Sequence, residues 1–190
     1  MRYLGLDVSS VATGVSVIDQ RADGSLELIF SDIIVTKSTW TMGRRLLTYA
    51  EALQTLLDRF QPDIVVKEGS FSNGFIKATQ VLFKFNGVTE LMCAQYGIAK
   101  LPEVQPTTIK KNIAGHGRAS KLDVAEGLLQ YINLDLSTLN EDQTDSIGAV
   151  LTYIKLYGML SPLTSIAEAN EQGRLQDELI KELAGNDEGK

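Results

Sequence analysis

The chain has 190 residues, 44% hydrophobic and 22% charged, the balance of a soluble domain that can bury a core. Eighteen basic and 24 acidic residues leave a formal net charge of −6, which at face value argues against DNA coating or a polybasic membrane surface. A single cysteine, Cys93, excludes an intrachain disulfide, and with one histidine, His116, it cannot build a Cys/His zinc site.

In chain order, Tyr3 to Val8 is a short apolar run that predicts a strand, with Ser9-Ser10 as a turn. Thr13 to Asp19 alternates and predicts a second strand; after the turn at Arg21 to Gly24, Leu26 to Val35 predicts a third. Met42 to Phe60 places Leu46, Leu47, Ala50, Leu53, Leu56, Leu57 and Phe60 at amphipathic-helix spacing. Trp40, just before it, is expected to act as a hydrophobic staple and not as a DNA contact. Ile64 to Glu68 predicts a buried fourth strand, residues 75–96 a long helix, and Leu101 to Gln105 a short fifth strand. Helices follow over 106–113, 120–131 and 142–157, with Gly115-His116-Gly117 as a break. Residues 163–184 predict a further amphipathic helix before a disordered acidic end. Three strands in a meander, then strands returning through helices, make an α/β chain with a mixed five-stranded sheet flanked by helices. Asp7 comes too early for a leader peptide, and no window is apolar enough to span a membrane, so the chain reads as cytoplasmic.

Four acids carry the chemistry. Asp7 follows the apolar Leu4-Gly5-Leu6 within the first strand, where a carboxylate is costly unless it is paired or meets a cation. Glu68 ends the fourth strand, which alone would more often be an ordinary solvated strand end. Asp142 and Asp145 share a helix face, in a first turn where acids favour the helix dipole in any case. Asn140 and Gln143 predict a reciprocal cap for that helix. Together the four could converge from separate elements on Mg²⁺, a hard cation that prefers oxygen ligands. Two such ions roughly 3.5–4 Å apart suit phosphodiester hydrolysis.

Leu4-Gly5-Leu6-Asp7 with Thr13-Gly14, Glu68 with Phe71, Asp142-x-x-Asp145, and the stretch Ile109-Lys110 to Ser120-Lys121 resemble the RuvC family of Holliday junction resolvases. The resemblance extends to Thr36-Lys37, Arg45-Leu46 and Gln61-Pro62-Asp63, over roughly residues 1–158. It implies a ribonuclease H-like nuclease domain over residues 1–160, with residues 161–190 as a C-terminal extension. It also implies two Mg²⁺ ions per site, with Mn²⁺ as a substitute. Asp7, Glu68, Asp142 and Asp145 become the metal-binding catalytic acids, with Asp7 bridging, and Lys110 and Lys121 become lysines close to the scissile phosphate. The family works as a homodimer on four-way DNA, and residues 75–96 correspond to its dimer helix. Phe71 corresponds to an aromatic that stacks at the junction centre. Asp7-Val8-Ser9 replaces the usual Asp-Pro-Gly, the chain runs on past residue 163, and it is acidic overall. These departures mark a divergent member, of the kind a virus, phage or plasmid carries.

Charge is segregated along the chain. From Gly69 to Lys121 seven basic residues face two acids, a net of +5, and they include Lys77, Lys110, Lys111, Arg118 and Lys121. With His116, which reads as a loop residue or phosphate contact, these are the candidate DNA-binding residues. The segment beyond Leu122 carries the excess of acid, part of it the metal ligands themselves. An actin-like phosphate-binding enzyme shares the first hairpin pattern but needs a second large domain. A nuclease of forks, flaps or RNA and a non-catalytic junction-binding protein are the remaining alternatives.

Overall fold

Residue alternation assigns the two faces of the sheet. In the computed structural model, which describes residues 1–69 and 76–157, the strands are β1 (Arg2–Asp7), β2 (Ala12–Gln20), β3 (Leu26–Val35), β4 (Ile64–Glu68) and β5 (Glu103–Val104). They lie in the order β3-β2-β1-β4-β5, antiparallel from β3 to β1 and parallel from β1 to β5. The helices are α1 (Met42–Phe60), α2 (Ile76–Gln95), α3 (Pro106–Ile113), α4 (Lys121–Leu128) and α5 (Glu141–Tyr157).

Leu4, Leu6, Val15, Val17 and Val65 pack against Tyr49, Leu53 and Leu57 of α1 and Phe85, Met92 and Cys93 of α2. Tyr3, Ile64 and Val66 face the other way, onto Ile109 and Ile113 of α3, Val124 and Leu128 of α4, and Ile147, Leu151 and Ile154 of α5. Because a strand repeats every two residues, Asp7 shares the face of Tyr3 and Gly5, and Glu68 that of Ile64 and Val66. Both carboxylates therefore point toward the α5 layer. Lys67 points to the opposite side, with 1% of its side chain exposed, and its Nζ lies 2.9 Å from Glu103, 3.5 Å from Glu90 and 3.2 Å from Asn86 Oδ1. A buried ammonium needs such partners, because an unpaired charge in the core would be costly.

Most predicted elements form within a residue or two of their expected limits. The fifth strand is shorter, as only Glu103–Val104 form a ladder. The N–H groups of Val65, Lys67 and Gly69 still donate to the carbonyls of Lys100, Pro102 and Val104, at 3.2, 2.9 and 2.8 Å. The predicted helix 120–131 leaves the α form at Leu128 and closes in a tighter turn, with Tyr131 N donating to Leu128 O at 2.9 Å. Trp40 is not a staple: the position it would pack on is Arg45, and its ring is instead covered by the Arg44 guanidinium, 4.2 Å from the ring centre. No described helix is long and apolar enough to cross a membrane. The boundary at residue 160 and the helix at 163–184 lie outside the described residues.

Candidate active site

The start of α5 is fixed by three contacts. Asn140 and Gln143 cap each other reciprocally, Asn140 N donating to Gln143 Oε1 at 2.9 Å and Gln143 N to Asn140 Oδ1 at 3.0 Å. The Gln143 amide reaches on to Ser31 Oγ of β3, at 3.0 Å. Gly14, the cross-strand partner of Asp7, lets the helix backbone rest on the sheet: a Cβ there would lie 1.8 Å from the Asp142 carbonyl oxygen. At Gly5 a Cβ would lie 2.4 Å from the Ser146 carbonyl oxygen. Two missing side chains in one strip of sheet thus set how deeply α5 seats, and with it the reach of its acids.

Asp7, Glu68 and Asp145 each offer a carboxylate oxygen within 4.8 Å of the others. They come from β1, the adjacent parallel strand β4, and α5. Asp142 stands outside this mutual cluster, yet close enough for its charge to disfavour ionisation of Asp7 and Asp145. Burial, then the charges of Asp145 and Asp142, push Asp7 up to about 7. Burial, then Asp7 and Asp145, push Glu68 up to about 8, while Lys121 and Lys110 pull the other way. Burial also raises Asp145. Crowded oxygen donors that ionise reluctantly on their own suit a hard divalent cation, which would offset their mutual repulsion.

Lys121 opens α4, whose start is set by a capping box in which Ser120 Oγ accepts from Asp123 N and the Asp123 carboxylate from Ser120 N. Its Nζ lies 3.1 Å from Asp145 and 3.0 Å from Glu141. Burial works against its charge, but the hydrogen bonds to Glu141 and Asp145 outweigh that and raise its pKa. Glu141 is a site residue that sequence reasoning missed: beside Asp142 in a first helical turn, it carries no signal beyond the helix dipole. Lys110 is half-buried, and Lys77, Lys111, His116 and Arg118 are exposed; none of these forms an ion pair among the described residues. Phe71 lies outside the described residues.

A mixed sheet of this order, flanked by helices, is a ribonuclease H-like fold, here with an acid cluster at the ends of two adjacent strands beneath a helix. The family profile described as "Crossover junction endodeoxyribonuclease RuvC" matches residues 3–153, and the chain belongs to that RuvC family. The crossover junction endodeoxyribonuclease RuvC of Dictyoglomus turgidum is 28% identical over 154 residues, covering 81% of this chain and 96% of that protein. That of Synechococcus sp. strain CC9311 is 30% identical over 160 residues, covering 80% and 97%. Among solved structures, T. thermophilus RuvC in complex with a Holliday junction substrate superposes with a TM-score of 0.75 at 21% identity, covering 86% of this chain and 99% of that one.

Proposed function

We propose that the chain is a divalent-metal-dependent endonuclease that nicks four-way DNA junctions, using Asp7, Glu68, Asp142 and Asp145 as metal ligands and Lys121 beside the scissile phosphate. The convergence of Asp7, Glu68 and Asp145 within 4.8 Å supports this reading most directly. Two Mg²⁺ ions, or Mn²⁺ in their place, would supply Lewis acidity to the attacking water and the leaving 3′ oxygen. The chain supplies the rest. Asp7 and Glu68, on adjacent strands, hold a rigid pair of donors, and α5 brings Asp145 over them with Asp142 at the rim. Lys121 keeps its proton, so it serves as a fixed positive charge at Nζ beside developing phosphate charge and not as a general base. Lys77, Lys110, Lys111, His116 and Arg118 would meet the DNA backbone.

Helix α2 supports assembly as a homodimer. Its buried side is Phe85, Thr89, Met92 and Cys93, while Ile76, Phe83 and Leu91 stand 72%, 61% and 57% exposed. Such a stripe fits a second copy related by a twofold axis, which would place two active sites on the two halves of a junction. We place this activity in the cytoplasm, with DNA. The test is a nicking assay with Mg²⁺ on four-way, Y-shaped, flap and linear duplex DNA. Nicking of the four-way substrate well above the others is expected; equal cleavage of all four would overturn junction selectivity.

The acid cluster also predicts a linked effect of pH and metal on stability. In the metal-free protein Asp7 and Glu68 have folded pKa values above their unfolded ones. Their contribution is complete below the ordinary carboxylate range and is lost as pH rises toward about 7 and about 8, because the folded state must give up protons it holds more tightly. The melting temperature in EDTA is expected to fall between pH 5 and pH 8 through these groups. Added Mg²⁺ is expected to raise it more at pH 8 than at pH 5, read by differential scanning fluorimetry.

A further inference from the structure

We propose that Lys37, Trp40 and Arg44 form a second DNA-contact surface, which grips the sugar-phosphate backbone of a junction arm beside the active site. The proposal rests on the reading of the chain as a junction-binding nuclease. From Thr36 to Ala50 the sequence carries Lys37, Arg44 and Arg45 and no acid, in a chain whose net charge is −6. Lys37 and Arg44 are exposed, and neither forms an ion pair among the described residues. Both stand over the face of Trp40, the Arg44 guanidinium 4.2 Å and Lys37 Nζ 5.9 Å from the ring centre. An indole that carries two cations holds them in place without neutralising them. A stacked guanidinium retains donors in its plane, in a fork that matches phosphate oxygens.

The surface is built into the fold. Trp40 N donates to Lys37 O at 3.0 Å, closing the turn between them. Thr36 ties that turn to the β1–β2 hairpin, its N donating to Val11 O at 2.8 Å and its Oγ1 to Ser10 O at 2.6 Å. Arg45, 7% exposed, also donates to Ser10 O and to Thr36 Oγ1, with its guanidinium 5.5 Å from the centre of the Phe85 ring. The hairpin held in this way is the one that leaves β1 directly after Asp7. The cations are therefore fastened, through buried contacts, to the end of the sheet at which Asp7 and Glu68 emerge. A polyanion lying across the acid cluster is the partner whose charge and continuity fit this surface, and a junction arm is such a polyanion.

Binding to four-way DNA across a salt series tests this, with Asp7→Asn as the parent so that no substrate is cut. Loss of two phosphate contacts in the double variant Lys37→Ala/Arg44→Ala is expected to reduce the slope of log K against log salt by about 1.8. Affinity at low salt is expected to fall roughly tenfold or more. Trp40→Leu, which keeps both cations but frees them from the ring, is expected to weaken binding while retaining the parent's slope. Lys37 and Arg44 are exposed and Trp40 is half-buried, and circular dichroism with a melting curve shows whether each variant is folded. A folded double variant with the parent's slope and affinity overturns the second surface and leaves junction binding intact. If the parent binds no four-way DNA, the junction reading falls, and this proposal with it.

Discussion

Asp7→Asn is expected to lower the rate of junction nicking by about three orders of magnitude while raising the melting temperature of the metal-free protein. The first effect follows from the position of Asp7, which belongs to the mutual 4.8 Å cluster and feels both α5 acids. Charge stabilisation at such a centre is worth several kcal/mol, and each 1.36 kcal/mol is about tenfold in rate. The second follows from the same crowding. Burial and neighbouring acids push Asp7 up to about 7, so at pH 8 its charge opposes folding in the absence of a cation. An amide of the same shape removes that charge. A variant that nicks at the wild-type rate would remove Asp7 from the metal site. One that loses activity and also melts lower in EDTA at pH 8 would mean the loss came from misfolding.

Gly14→Ala is expected to cost at least about a hundredfold in nicking, although Gly14 carries no functional group. A Cβ at this position would lie 1.8 Å from the Asp142 carbonyl oxygen and 2.3 Å from its carbon, so helix and strand must part by more than an ångström. Misplacement of about 1 Å at a catalytic constellation can cost on the order of 10²-fold. Overpacking of this kind also destabilises by roughly 1–3 kcal/mol. The melting temperature should therefore drop together with nicking, and Mg²⁺ should stabilise the variant less than the wild type. Gly43→Ala is the control, since a Cβ there meets nothing within 4 Å; it is expected to nick as the wild type does. Full activity in Gly14→Ala would show that α5 can reach the acids from another seat.

Glu68, Asp142 and Asp145 read singly as ordinary surface acids and became candidates only as a set and through the family resemblance. Asp7 was legible by itself because its environment is local: a carboxylate that follows Leu4-Gly5-Leu6 in a core strand displays the conflict on its face. The cap of α5 was legible for the same reason, as Asn140 and Gln143 sit three apart. What escaped the sequence depends on distant partners. Gly14 reads as an ordinary strand glycine until Asp142 rests on it. Trp40 matches a staple by position, and only the identity of Arg45 and the stacking of Arg44 show otherwise. Lys67 sits in a run whose composition says buried, but Glu103 and Glu90, which make that burial tolerable, lie 36 and 23 residues away in the sequence. Asp142 belongs to a matching motif, yet it stands at the rim of the cluster and not within it.

The pairing of Lys67 with Glu68 constrains how the chain folds. The two are consecutive, oppositely charged, and committed to opposite layers of the sheet. A slip of β4 by one residue against β1 would exchange them. The ammonium would then enter the acid cluster, and the carboxylate would take the buried place of Lys67, facing Glu90 and Glu103. An all-apolar strand could slide with modest loss; this one meets repulsion on one side and a spoiled cation site on the other. The alternative pairing of the central strands is thus disfavoured before any substrate is met, and the charge that makes Glu68 useful also helps to fix the strand that carries it.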